Sequence, residues 1–159
     1  MVDLEKYWQD YLKTLTEPAD AETRFFGSFQ IGDSKASADE GARLVLQGLK
    51  TATSSLIWEY EGSDVEAPRI GSLSILLDGD GEPVCIVETT QLLERPFMEI
   101  EESFAVAYGE WDRTLESWRT HCWNYYARRA GRLGRTPTRQ MVLLCEWFSV
   151  VFPCQKMNE

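Results

Sequence analysis

The stretch Gly48-Leu49-Lys50-Thr51-Ala52-Thr53-Ser54-Ser55 decides how this chain is read, because it joins the end of one periodic segment to the start of another of different period. Upstream, Ala42, Val45, Leu46 and Leu49 recur at helical spacing, with Gly48 placed to let the chain turn out of the helix. Downstream, β-branched and aromatic content rises from Thr51 to Tyr60, as in a strand. The junction sets one amine, Lys50, beside four hydroxyls, those of Thr51, Thr53, Ser54 and Ser55. In a regular strand Thr51, Thr53 and Ser55 share a face, so Lys50 and Thr53 point apart unless the backbone bends or bulges near Thr51. On the residues alone, a half-polar strand with threonines chosen for β-propensity is the simpler account of the pattern. The spacing is not that of a phosphate-binding P-loop.

Working outward, Leu4, Tyr7, Trp8, Tyr11, Leu12 and Leu15 form one face of an N-terminal helix over about 3–16, interrupted at Pro18 and Asp20. Arg24 to Phe29 reads as extended or loop structure presenting aromatics. The helix before Gly48 is expected to start at Ser37, with Glu40 closing a capping box. Strands are predicted at 72–77 and 84–92, joined by the turn Asp78-Gly79-Asp80-Gly81, and at 142–152. Helices are predicted at 99–108 and 115–129, the latter with Leu115, Trp118, Cys122, Tyr125 and Tyr126 on one face. Antiparallel hairpins without a βαβ rhythm indicate an α+β fold with a small β-barrel and flanking helices.

Bulk properties narrow the function. With 159 residues, 43% of them hydrophobic, the chain suits one domain with a substantial core and not a disordered segment. No basic leader precedes an apolar run and no run is long enough for a bilayer, so a cytoplasmic protein without a membrane partner is expected. Cys85, Cys122, Cys145 and Cys154 form no C-x-x-C pair and read as reduced thiols. His121, the sole histidine, rules out zinc sites built on several imidazoles. It reads as a helix residue with a satisfied ring.

A net charge of −10 opposes non-specific binding to long nucleic acid. Arg128, Arg129, Arg132, Arg135 and Arg139 form a local exception that could meet a phosphate or could simply complement a helix C-terminus.

Taken in order, Gly48-x-Lys50-Thr51-Ala52-Thr53, Trp58-Glu59-Tyr60, Gly71, Asp78-Gly79-Asp80-Gly81, Gly109-Glu110-x-Asp112-x-Thr114-Leu115-x-x-Trp118-Arg119 and Cys145-Glu146-x-Phe148-x-Val150 resemble the ASCH-domain family, relatives of the PUA fold. The resemblance runs from about Phe26 to Phe152 and implies a single ASCH domain across 1–159 with the N-terminal helix packed on it. It further implies an amidohydrolase similar to bacterial enzymes that remove acyl groups from N4-acylated cytidine, as in N4-acetylcytidine to cytidine and acetate. The catalytic set implied is Lys50, Thr53 and Glu110. In one version Thr53 attacks and a neutral Lys50 is the base; in another a charged Lys50 stabilises the oxyanion while Glu110 activates water.

Thr51, Ser55, Trp58, Phe26 and Trp111 are the expected substrate-binding residues, with Phe25 and Tyr60 as further stacking surfaces. The expected partner is a small acylated nucleoside, with no cofactor and no metal, and the oligomeric state is open. Alternatives from the same family are an RNA-binding module using the same pocket, disfavoured by net charge, and a ribonuclease-like protein in which Asp112 and Glu110 hold magnesium.

Overall fold

The computed structural model describes residues 1–153, so Cys154 lies outside the described residues. Helix α1 (Leu4–Leu12) starts at Asp3, whose carboxylate accepts the Glu5 N–H at 3.0 Å. It buries Trp8, Tyr11 and Leu12 against Leu73, Ile75 and Ile86 of the sheet. Each such side chain contributes roughly 1.5–3 kcal/mol by burial. The helix is shorter than its apolar stripe predicts, ending at Lys13, although Leu15 still packs on the same cluster.

Pro18, expected to interrupt, instead opens a second helix, α2 (Pro18–Arg24). Proline is well tolerated there because the first-turn N–H it lacks has no intrahelical acceptor. Arg24, expected in extended chain, is the last residue of α2, and its guanidinium donates to Gly71 O at 2.9 Å and Glu88 at 3.2 Å.

Strand β1 (Phe25–Phe29) follows, then α3 (Lys35–Leu46). The cap of α3 is Ser34, three residues before the expected Ser37. Ser34 accepts the Ser37 N–H and Ser37 accepts the Ser34 N–H, each at 3.1 Å. A serine at the third helical position thus closes the box, and Glu40 pairs with Arg43 instead. At the other end Gly48, with φ 74°, turns the chain out of the helix as predicted.

The remaining elements are β2 (Ala52–Leu56), a 3-10 turn (Ile57–Glu59), β3 (Leu73–Leu77), β4 (Pro83–Pro96), a second 3-10 turn (Phe97–Glu99), α4 (Glu102–Tyr108), α5 (Leu115–Arg132) and β5 (Val142–Phe152). Together the strands make one five-stranded sheet in the order β1-β3-β4-β5-β2. The β1–β3 pair is parallel and the other three pairs are antiparallel. The parallel pair departs from the all-antiparallel reading. It arises because α3 and β2 intervene between the paired strands.

The expected small β-barrel is not closed. No ladder joins β1 to β2 among the described residues, and the sheet is open. Yet both end strands line the same cavity, so the sheet curls far enough to bring its edges to one place. Bulges in β1, β4 and β5 accommodate that curl. Helices α4 and α5 cover one face, through Phe104, Trp118, Cys122 and Tyr126 against Ala52, Leu56 and Leu143. Helix α3 packs Ala42 and Val45 onto Leu76, Cys85, Val87 and Phe148. No described helix is long and apolar enough to cross a membrane.

Candidate active site

The corner after α3 is made at Thr51. Lys50 N–H still bonds back to Leu44 O at 3.1 Å, whereas Thr51 N–H donates to Ala107 O at 2.8 Å and its carbonyl accepts from Phe148 at 3.0 Å. The chain leaves the helix, touches α4 and enters the sheet within a few residues. The required bend is therefore present.

It directs the Lys50 side chain under α4. The side chain is fully buried, with Nζ donating to Tyr108 O at 3.1 Å and to Glu110 Oε2 at 2.8 Å. The ammonium also sits 3.3 Å above the centroid of the Tyr108 ring. Burial drives the Lys50 pKa below its ordinary value, against the upward pull of the Glu110 charge.

The approach of Glu110 depends on Gly109. This residue caps α4 with φ 75°, and a Cβ there would lie 2.1 Å from Leu49 O and 2.8 Å from Lys50 Cα. Only a residue without a side chain lets the two segments meet. Beyond it, Trp111 and Arg113 take the left-handed conformation at φ 56° and 65°, uncommon for bulky residues. The loop ends where Asp112 accepts from Thr114 N–H at 3.0 Å and Oγ1 at 2.7 Å, holding the Asp112 pKa down at about 2. Thr114 in turn caps α5. Asp112 is thus engaged in shaping the helix start.

In this loop Trp111 stacks on His121, with ring centroids 4.4 Å apart and 7° between planes, and on Tyr108 at 5.8 Å. His121 therefore carries a stacking role that its sequence position alone does not signal.

These residues border a cavity of about 600 Å³, within the range of roughly 300–1,000 Å³ common for small-molecule sites. Of the sequence-predicted residues, Thr53, Glu110, Phe26, Ser55 and Trp111 line it. Lys50 does not. It lies behind Tyr108 and Glu110, and no hydrogen bond joins it to Thr53 among the described residues.

Two expected binding residues fall elsewhere. Thr51 is turned away, its hydroxyl on Ala107 O at 3.3 Å, because the corner places it between α4 and β5. Trp58 packs against the α4–α5 cluster with Arg135 above its ring at 4.9 Å, since the 3-10 turn rotates it out of the β2 alternation. Phe25 packs on Trp8 at 4.7 Å. Tyr60 does line the cavity, donating to Ser55 Oγ at 2.7 Å.

Sequence reasoning gave no role to Glu146. It is the cross-strand partner of Thr53, and its Oε2 accepts the Thr89 hydroxyl. Both Thr53 and Glu146 line the cavity, and Glu146 makes no ion pair among the described residues. Burial raises its pKa, opposed by the Thr89 hydrogen bond. The available signal was a single charged residue in the otherwise apolar and hydroxyl strand Val142–Phe152.

Much of the arginine patch is internally neutralised. Arg128 grips Asp33 at 3.0 and 3.2 Å, Arg129 pairs with Glu59, and Arg135 meets Glu61 at 3.1 Å. The Arg128–Asp33 pair joins α5 to the β1–α3 loop at the cavity margin.

Comparison with known proteins agrees with this architecture. The chain is 28% identical to the ASCH domain from Lactobacillus crispatus JV V101, whose high-resolution crystal structure superposes with a TM-score of 0.86 over 92% of each chain. The crystal structure of protein EF3133 from Enterococcus faecalis V583 is similar at 28% identity and a TM-score of 0.81, covering 92% of this chain and 86% of that one. No curated protein matches the chain. The ASCH domain profile matches residues 27–152, which includes the last three residues of β1, all of β2 to β5 and all the cavity-lining residues named above but Phe26, and so the chain belongs to the ASCH domain family, with a PUA-like fold.

Proposed function

We propose that this protein is an amidohydrolase that removes the acyl group from N4-acylated cytidine, converting N4-acetylcytidine to cytidine and acetate. The observation that carries the reading is the buried Lys50–Glu110 ion pair, whose carboxylate opens onto the same cavity as Thr53. Nucleophile and base thus border one space, while the lysine stands behind the base.

In this arrangement Glu110 takes the proton from the Thr53 hydroxyl as its oxygen attacks the acyl carbonyl. Lys50 keeps the Glu110 carboxylate aimed, its three donor hydrogens facing the carboxylate, the Tyr108 carbonyl and the Tyr108 ring. The proton held by Glu110 goes to the departing nitrogen, and water then releases the acyl-threonine. Trp111 and Phe26 offer flat surfaces for a pyrimidine, and the cavity volume suits a nucleoside. An RNA-reading or ribonuclease-like use of the pocket is less well supported, because the arginine pairs with Asp33, Glu59 and Glu61 leave less positive charge for phosphates.

The test is direct. Purified protein incubated with N4-acetylcytidine is expected to yield cytidine and acetate, followed by chromatography, and absence of cytidine refutes the reading.

A further inference from the structure

The cavity presents two carboxyl groups in opposite surroundings. Glu110 is ion-paired with Lys50, whereas Glu146 meets no cation among the described residues. Glu146 is faced from β4 by the Thr89 hydroxyl, from β2 by Thr53 and from the end of the 3-10 turn by the Tyr60 phenol, which senses its charge. Thr89 occupies Oε2, and Oε1 has no hydrogen-bond partner among the described residues. A carboxyl group in such a place favours its neutral form, in which it donates as well as accepts.

Resting on the amidohydrolase reading, we propose that Glu146 is the residue that reads N3 of the pyrimidine and protonates it as the amide bond breaks. Cross-strand neighbours on one sheet face have Cβ atoms about 4.5–5.5 Å apart. An acyl carbon at Thr53 therefore places the adjoining N4–C4–N3 edge within reach of Glu146. The same edge carries an N–H at N4 and an acceptor at N3, matching the carbonyl and the hydroxyl of a neutral carboxyl group.

The chemistry follows from the leaving group. Expelled directly, N4 would depart as an amide anion. With Glu146 as acid, the bond between N4 and the acyl carbon breaks and its electron pair forms the C4=N4 double bond. The former C4=N3 pair takes the Glu146 proton at N3. The base leaves as the neutral 3H-imino tautomer of cytidine. It returns the N3 proton to Glu146 and receives at N4 the proton that Glu110 removed from the nucleophile. Both carboxyl groups are thereby reset, and no proton is left over.

The test pairs Glu146→Gln, which keeps an acceptor for Thr89, with N4-acetyl-3-deazacytidine, which has carbon in place of N3. On N4-acetylcytidine the variant is expected to lose about 100-fold or more in kcat. Wild type is expected to lose a comparable factor on the deaza substrate, and there the substitution should cost nothing further. The alkaline fall of the wild-type rate as Glu146 loses its proton should vanish in the variant. Equal rates of variant and wild type on N4-acetylcytidine, or the same loss on both substrates, overturn the proposal. The wild type alone, compared on the two substrates, tests the N3 half whether or not the variant folds. If wild type hydrolyses neither, the amidohydrolase reading and the acid step fall together. Calorimetry with cytidine and 3-deazacytidine then decides recognition: binding about 10-fold weaker on losing either N3 or Glu146 retains Glu146 as the N3 reader, and equal binding removes it.

Discussion

Lys50 Nζ lies 2.8 Å from Glu110 Oε2, with the lysine side chain wholly out of solvent and the glutamate side chain 10% exposed. An ion pair so enclosed is held by mutual need, because either charge alone would be stranded. Removing one partner of a buried pair costs about 3–5 kcal/mol. Lys50→Met and Glu110→Gln should each lower the urea midpoint accordingly. The double variant should lose much less than the sum. Additive losses would show that the two residues are not energetically coupled.

Thr53 presents the opposite case. Its hydroxyl has no hydrogen bond among the described residues, and it faces the cavity. Thr53→Ala is therefore expected to unfold within about 0.5 kcal/mol of wild type. Its turnover of N4-acetylcytidine should fall at least ~100-fold. Rapid-quench mass spectrometry of the wild type should find the acyl group on Thr53. Retained turnover would assign the attack to another nucleophile.

Gly109 and Gly134 share a left-handed backbone, at φ 75° and 70°, but differ in surroundings. A Cβ at Gly134 meets nothing within 4 Å, while one at Gly109 strikes Leu49 O at 2.1 Å. Gly134→Ala should cost about 1 kcal/mol, the conformational penalty alone. Gly109→Ala should cost about 2 kcal/mol or more and reduce activity as well, since it drives Glu110 away from Lys50. Thermal unfolding of the two variants, side by side, separates the effects.

Stability should pass through a maximum on the alkaline side of neutrality. The pKa of Lys50 is lowered in the folded protein, so between that value and its ordinary 10.5 the unfolded chain binds more protons and stability rises with pH. Tyr108 and Tyr126 are raised well above their ordinary 10.0 by burial, and Cys85 and Cys145 are pushed up to about 12. Above those ordinary values the unfolded chain loses protons that the native state retains, and stability falls. Urea titrations between pH 7 and 11 check both limbs, and Lys50→Met should flatten the rising one.

Trp111 and Trp58 separate binding from packing. Trp111 is 44% exposed at the cavity edge, and Trp111→Ala should raise KM about 10-fold through lost stacking. Trp58 lies against the helical core and outside the cavity. Trp58→Ala should lower the melting temperature with little change in KM. The reverse pattern would relocate the pyrimidine.

Periodicity made several elements legible in the sequence. The apolar run of β5 and the stripe of α5 are continuous enough to fix their type, and Gly48 marks the end of α3 because its conformation excludes most residues. What escaped depended on partners distant in the chain. The parallel seat of Phe25–Phe29 on β3 is set by where α3 packs. Pro18 reads as a breaker until the chain before it is seen to have already left the helix. At the site, Lys50, Thr53 and Glu110 are singled out by family resemblance alone, and their spacing does not show that Lys50 is sealed behind Tyr108. Thr51 and Trp58 were misplaced for a related reason, since strand alternation was extended over a corner and a 3-10 turn.

The open sheet has a mechanical consequence. Its end strands, β1 and β2, flank the cavity without a ladder between them. Spreading them breaks no sheet hydrogen bond among the described residues. Resistance to widening comes instead from side-chain clasps such as Arg128 on Asp33, which are solvent-accessible and weakened by salt. Cavity width is thus set at this seam by side-chain contacts and not by backbone pairing, so on the amidohydrolase proposal a bulkier acyl group is expected to be met by hinging there.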